Sequence, residues 1–282
     1  MPELPEVETM CRGIRSIVGN VIFSVKDPGC DCRPMAISPS ISSLHRRLRG
    51  RRIEQVSRLG KRVVLTFDAG YYLVFEPRMT GLVSLVDPPD WSHVRVRMEV
   101  ETNRGIQEVW FWDRRGLGTL TGYDADELEA RVRSKLGPDA LEVGSEELTE
   151  RFSTTRQAIK VALLDQRRLA GIGNLYAAEI LHVAAIHPER TSDSLKSADW
   201  RRLHAAMRRV LEEAIRYEGS TLSDGTYRNA LNQAGGYQNH HRVYARAGEP
   251  CGTCRKRIVE RIVQAQRSTF FCPGCQPRRR RS

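Results

Sequence analysis

The chain opens Met1-Pro2-Glu3, and removal of Met1, which a small second residue such as Pro2 permits, would leave a secondary amine beside a carboxylate. An amine nucleophile next to a carboxylic acid is a usable catalytic pair. The same residues also suit a helix start, where proline in the first turn and glutamate near the N-terminus are ordinary. The rest of the chain has to decide between these readings.

Four of the seven cysteines form Cys251-x-x-Cys254 and Cys272-x-x-Cys275, with 17 residues between the pairs. That spacing fits a four-thiolate zinc site. Four thiolates leave no open position for water, so the zinc is expected to be structural and to brace the segment between the pairs. Arg267 follows the turn expected at Gln264–Gln266, where a phosphate contact is one reading and a solvated arginine the other. Cys11 reads as core, and Cys30 and Cys32 receive no role.

Further candidates lie upstream. Gly171-Ile-Gly-Asn174 is a glycine turn feeding a helix, with Asn174 as its expected N-cap and free N–H groups suited to a phosphate. It is not a dinucleotide fingerprint, because no strand precedes it and Tyr176 occupies the third glycine position. Lys61 opens a strand after Gly60. Met79 and Leu117 lie in turn-rich stretches, the latter beside Arg115, where each could be core or could wedge into a base stack.

The elements that must position these residues follow from periodicity. Val7, Met10, Cys11, Ile14, Ile17 and Val18 recur at helical spacing, so a short helix should anchor the terminus. From Val21 to Tyr123 seven or eight short strands predict a two-sheet sandwich or barrel. Arg156–Gln166, Leu175–Val183 and the stripe Trp200, Leu203, Met207, Val210, Leu211 and Ile215 predict helices. Residues 220–250 read as a long loop region. Arg257–Val263 and Arg267–Phe271 predict a hairpin inside the zinc pattern. The expected domains are 1–123, 124–240 and 241–282.

The charge is uneven. Residues 228–282 hold 12 Lys/Arg against 2 Asp/Glu, whereas the other 227 residues are nearly balanced in a chain of net charge +11. A second basic cluster runs from Arg46 to Arg62. Two basic regions make nucleic acid the favoured partner, ahead of an anionic membrane surface. No stretch approaches 18 uninterrupted apolar residues and no secretory signal opens the chain, which points to a soluble protein of the cytosol.

The opening Met-Pro-Glu-Leu-Pro-Glu-Val-Glu, Lys61, Met79, Asp113 with Arg115, Gly171-x-Gly-Asn-Leu-Tyr176 and the four-cysteine finger with Gln-Arg-Ser-Thr-Phe-Phe-Cys272 together resemble the bacterial formamidopyrimidine-DNA glycosylase family. They span essentially the whole chain, in the family's order. The resemblance implies an α+β fold with an N-terminal β-sandwich, a helix–two-turn–helix domain and a zinc finger. It also implies a cytoplasmic, nucleoid-associated monomer acting on duplex DNA.

The resemblance assigns roles. Pro2 would be the nucleophile and Glu3 the acid/base group. Lys61, Asn174 and Arg267 would hold phosphates, with Lys61 and Arg267 counted among the catalytic set. Met79, Arg115 and Leu117 would fill the gap left by a flipped nucleotide, Glu6 would lie at the lesion pocket, and residues 220–241 would cover the base. The implied activity is excision of oxidised purines followed by β,δ-elimination. The alternatives are a glycosylase for oxidised pyrimidines and a non-catalytic lesion-binding protein. Three departures stand out: Leu117 where the family usually has Phe, Gly116 where a basic residue is frequent, and Glu76-Pro77 where His-Leu is common.

Overall fold

The computed structural model describes residues 2–221, 227 and 233–278. Met1, part of the loop expected over 220–241 and the arginine run 279–281 lie outside the described residues. The chain packs as two compact units: Met1–Lys135 with Ile215–Gln238, and Leu136–Ala214 with Asn239–Ser282.

In the first unit, α1 (Leu4–Gly13) buries Leu4, Val7, Met10 and Cys11 along one stripe, with Pro5 in its first turn. That stripe packs on β3 (Ile53–Leu59), β4 (Arg62–Phe67) and β6 (Gly81–Ser84). The other strands of this unit are β1 (Val21–Lys26), β2 (Ala36–Ser38), β5 (Tyr71–Glu76), β7 (Val94–Thr102), β8 (Gly105–Asp113) and β9 (Thr119–Tyr123). They form a four-stranded sheet, β1-β7-β8-β6, and a five-stranded sheet, β2-β9-β5-β4-β3. The short β2 pairs parallel with β9.

Alternation explains the core between the sheets. Val63, Leu65 and Phe67 of β4 are fully buried, and Val96, Met98 and Val100 of β7 nearly so. Phe75 meets Phe111 of the other sheet edge-to-face at 5.3 Å. Each such side chain contributes about 1.5–3 kcal/mol of apolar burial.

One helix of this unit was not anticipated. α2 (Ile41–Leu48) starts at Ser40, whose side chain accepts from Ser43 N–H, and buries Leu44 and Leu48. It stands within a region read as strand. α3 (Ala125–Arg131) is closed by a reciprocal box, with Glu127 N–H on Asp124 at 2.8 Å and Asp124 N–H on Glu127 at 3.2 Å.

The second unit is helical and ends in the finger. Its helices are α4 (Ser145–Phe152), α5 (Ile159–Ala162), α6 (Asn174–Val183) and most of α7 (Ser197–Arg216). The helix expected over 156–166 shrinks to α5. Its entry pairs instead with the 188–192 segment: Ile159 N–H donates to Arg190 O at 2.7 Å and Ser192 N–H to Gln157 O at 2.9 Å.

β10 (Glu260–Gln264) and β11 (Arg267–Phe271) form an antiparallel hairpin, and β11 packs on α6. Gln276 ties the finger down, donating to Ile186 O at 2.8 Å and accepting from Cys272 N–H at 3.0 Å. The buried Glu179 of α6 accepts N–H bonds from Arg242, Val243 and Tyr244 at 2.8–2.9 Å, which fixes the chain as it enters the finger. Among the described residues no helix is long and apolar enough to cross a membrane.

Candidate functional site

Pro2 and Glu3 are both buried, so the terminus is held rather than frayed. Glu3 is the residue that precedes α1, and its N–H donates to Glu6 Oε2 at 2.9 Å. The other Glu6 oxygen accepts from Ser220 N–H at 2.8 Å. Gly219 makes that approach possible: at φ +77° it has no Cβ, and one placed there would lie 2.9 Å from Glu6. Tyr227 closes the same neighbourhood. Burial, with Glu6 nearby, pushes its phenol well above the ordinary value, so it stays neutral and donates to Glu218 O at 2.8 Å.

Lys61 stands in the β3–β4 turn, half-buried. Arg58 fixes that turn to α1. Its guanidinium donates to Glu8 Oε2 at 3.2 Å and to Gly60 O, next to Lys61, at 3.1 Å. The hairpin that carries Lys61 and the helix that carries the terminus are therefore one braced assembly.

Met79, Arg115 and Leu117 lie on two neighbouring loops, and Asp113 joins those loops. Its carboxylate is fully buried and accepts from Thr80 Oγ1, from Arg115 N–H at 3.2 Å and from Gly118 N–H at 2.7 Å. A carboxylate that gathers main-chain N–H groups stiffens a turn. Arg115 is exposed and Leu117 half-buried. Gly116 between them has φ +61°, and a Cβ there would sit 2.7 Å from Arg33 O. The close approach excludes any side chain at this position, which explains the glycine. Glu76, the other unusual residue, is paired with Arg62 at 3.2 Å and Arg78 at 3.0 Å.

In the second unit Asn174 departs from its expected geometry. Gly173 takes the N-cap position, and Asn174 is the first helical residue. Its side chain is used elsewhere: Oδ1 accepts from Lys160 Nζ at 2.6 Å, and Nδ2 donates to Ser268 O at 2.9 Å. Lys160 is fully buried. Asn174 thereby links α5 to the finger hairpin, one residue from the exposed Arg267. Arg267 follows Ala265 and Gln266, both of positive φ, in the tight hairpin turn.

The four finger thiols lie within 4.8 Å of one another, with Cys251–Cys275 at 3.8 Å and Cys254–Cys272 at 3.7 Å. A tetrahedral zinc with bonds of about 2.3 Å needs sulfur pairs about 3.8 Å apart, so the cluster fits the ion. Main-chain N–H groups of Lys256 and Arg257 hold the Cys254 thiol down at about 6. Burial and the packed neighbouring thiols push Cys275 up. A divalent cation relieves that crowding, and the site belongs to one structural zinc ion.

Lys160 and the bracing roles of Arg58 and Asp113 escaped the sequence reading, in which Arg58 counts only as part of the basic cluster. Asp113 alone carried a signal, an aspartate just before Arg-Arg-Gly at a strand end.

A sandwich whose buried Pro2 adjoins the buried carboxylate of Glu3, in one chain with a zinc-braced basic hairpin, defines a class of DNA-directed enzymes. The sequence models of that class make the assignment. The formamidopyrimidine-DNA glycosylase N-terminal domain matches residues 1–120, its H2TH domain residues 136–226, and the zinc finger found in FPG and IleRS residues 248–278. The formamidopyrimidine-DNA glycosylase of Chloroflexus aggregans is 39% identical, over 98% of each chain. The crystal structure of the MutM (Fpg) protein from Thermus thermophilus superposes with a TM-score of 0.82 at 37% identity, over 98% of each chain. A Lactococcus lactis FPG mutant in complex with a Fapy-dG containing DNA gives 0.84 at 31% identity, over 98% of this chain and all of the other. The chain belongs to the formamidopyrimidine-DNA glycosylase family.

Proposed function

We propose that this protein is a bifunctional DNA glycosylase and AP lyase of base-excision repair, acting on oxidised purines such as 8-oxoguanine and formamidopyrimidines in duplex DNA. The observation that carries the reading is the buried, hydrogen-bonded terminus of a chain in this family: Pro2 and Glu3 are adjacent and fixed by α1.

The chemistry assigns each residue type a task. A base inside a duplex is inaccessible, so the nucleotide is turned out and the gap plugged. Met79, Arg115 and Leu117 plug it, on loops that Asp113 stiffens. Lys61, Asn174 and Arg267 hold phosphates around the turned-out nucleotide. The Pro2 nitrogen attacks sugar C1′ and displaces the damaged base while Glu3 protonates the ring oxygen.

The secondary amine then gives a cationic iminium, which acidifies the C2′ proton, and the 3′ and 5′ phosphates leave in turn. A terminal amine suits this role, because a pKa of about 8 against about 10.4 for lysine leaves roughly 200-fold more unprotonated amine at neutral pH. Nearby phosphates would raise that pKa, and the Lys61 cation offsets them. Zinc takes no part in these steps; it holds the hairpin that presents Arg267. Glu6 sits at the edge of the lesion site, where it fastens the 218–220 segment. The enzyme works as a monomer in the bacterial cytoplasm, at the nucleoid where its substrate lies.

Borohydride trapping tests this. Incubation with an 8-oxoguanine duplex should yield a covalent adduct on Pro2 of a chain that intact mass shows to lack Met1. Retained Met1, or an adduct undiminished in Pro2→Ser, would overturn it. Thymine-glycol duplexes in the same panel should react more slowly; the reverse order indicates an oxidised-pyrimidine enzyme.

A further inference from the structure

Cys30 and Cys32 take no part in the zinc site or the proposed chemistry, yet the structure places them together. Both thiols point at one carbonyl: Cys30 Sγ lies 2.9 Å and Cys32 Sγ 3.5 Å from Ser92 O. The Cys32 thiol is raised above its ordinary value, first by its hydrogen bond with Cys30 and then by desolvation and the repulsion of that neighbouring sulfur. Two thiols that share one acceptor oxygen lie on the same side of the loop. Both cysteines are partly exposed, whereas Cys11 is buried and pushed up to about 12 by burial, too basic to react.

The field of Arg95 reaches Cys32 and favours its thiolate. Arg95 is 5% exposed, and its Nη2 is buried with no hydrogen-bond partner among the described residues. That charge favours an anionic sulfur or sulfenate at Cys32, while the larger effects of Cys30 and desolvation oppose it.

Arg95 also connects the pair to the gap-filling loop. Its Nη1 donates to Arg33 O at 2.8 Å, one residue after Cys32, and its Nε donates to Asp113 O at 2.8 Å. Arg33 O is the same atom against which Gly116 packs.

We propose that Cys30-Asp31-Cys32 is a peroxide-reactive dithiol whose oxidation to a disulfide loosens the Asp113–Gly118 loop and weakens the grip on DNA. One thiolate attacks the O–O bond of a hydroperoxide, giving a sulfenic acid and releasing hydroxide or alkoxide. The second thiol attacks the sulfenic sulfur, forming the S–S bond and releasing water. Two thiols are oxidised and one peroxide reduced. Closing a ring across a single residue turns both thiols off the Ser92 carbonyl toward each other and constrains the backbone at Asp31. The Arg33 carbonyl follows, and with it the Arg95 brace. The DNA part of this inference rests on the function proposed above.

The test treats reduced, zinc-loaded protein with hydrogen peroxide at a dose that a zinc-release dye shows to leave the finger intact. Peptide mapping should find a Cys30–Cys32 disulfide. Affinity for an abasic-site-analogue duplex should fall about tenfold, the worth of one stacking contact, and recover with dithiothreitol. The Cys30→Ser/Cys32→Ser double variant should bind like the reduced protein and stay insensitive. Free Cys30 and Cys32 after treatment would overturn the dithiol site. A mapped disulfide with unchanged affinity, or an equal loss in the double variant, would overturn the coupling. Reduced protein that binds but never excises lesions would instead count against the proposed activity and leave both readouts intact.

Discussion

Ser220 N–H donates to Glu6 Oε1 at 2.8 Å across 214 residues of sequence, while the other oxygen of the same carboxylate holds Glu3 N–H at 2.9 Å. One side chain thus fixes both the terminus and the start of the segment expected to cover an extruded base. A carboxylate can accept both bonds; an amide has only one oxygen and meets the second donor with its own NH2 group. Glu6→Gln should cost about 1–3 kcal/mol of stability. Excision of 8-oxoguanine should fall at least about tenfold (1.4 kcal/mol), and cleavage at a preformed abasic site, which has no base to cover, should fall less. Equal losses in the two single-turnover assays would show that Glu6 serves the terminus alone.

The buried Lys160 ammonium donates to Asn174 at 2.6 Å, and Asn174 passes the connection to Ser268 O at 2.9 Å. Asn174→Asp keeps an acceptor for Lys160 but loses the amide donor and adds a negative charge where a phosphate is proposed to bind. Thermal stability should stay close to wild type, within about 1 kcal/mol, the scale of one hydrogen bond. DNA affinity should drop by more than about tenfold, because a neutral amide donor is replaced by a carboxylate that repels the phosphate. Fluorescence anisotropy measures it; unchanged affinity would remove Asn174 from the phosphate set.

These two residues also show where sequence reasoning stops. The α1 stripe and the strands around Val63–Phe67 are legible because period alone decides them. α2 carries a legible signal as well, Ser40 before Ile41, Leu44 and Leu48, but it is eight residues long and set among strands. Arg156–Gln166 has helical composition, and only tertiary pairing with 188–192 unwinds most of it. Lys160 sits in Ala-Ile-Lys-Val-Ala, a string that does not distinguish a buried ammonium from one that snorkels to water. Asn174 invites the N-cap reading because local rules cannot see Ser268. Long-range polar contacts leave no period in the sequence, and these braces consist of such contacts.

Zinc removal should separate binding from folding of the sandwich. The finger hairpin has little core of its own: Val243, Cys251, Val259 and Cys272 with Ala178 form its buried cluster. Without the ion the four thiols are left crowded, and the hairpin should unfold. Chelation is expected to abolish high-affinity DNA binding while the near-UV signal of Trp110 and Trp112, in β8, persists. Full binding after complete zinc loss, by atomic absorption, would deny the finger its bracing role.

Acid should act through Asp199. Burial alone would raise its pKa, but hydrogen bonds from Arg190 (2.9 Å), the Lys196 N–H (3.0 Å) and Arg202 (2.6 Å) outweigh burial and hold it at about 2. An unfolded aspartate titrates near 3.9, so the folded pKa is depressed. The contribution, about 2 kcal/mol, is complete above about pH 4 and is lost as the pH falls toward 2. Urea unfolding of wild type and Asp199→Asn should therefore differ most at neutral pH and converge in strong acid. Parallel curves down to about pH 2.5, well inside that window, would mean the ion pairs add nothing.

Gly116 offers the sharpest test of the gap-filling loop. Its φ of +61° disfavours any L-residue, and a Cβ would stand 2.7 Å from Arg33 O, a main-chain atom that cannot swing aside. Gly50 supplies the control, with φ +79° and nothing within 4 Å of the place a methyl would occupy. Gly50→Ala should show backbone strain alone, roughly 1 kcal/mol. Gly116→Ala should cost clearly more and should also displace the Arg115–Leu117 segment, so that binding to a lesion duplex weakens while binding to single-stranded DNA, which has no gap to fill, does not. Equal destabilisation of the two variants, with lesion binding intact in both, would show that the loop yields to Arg33 and that the close approach has no bearing on DNA.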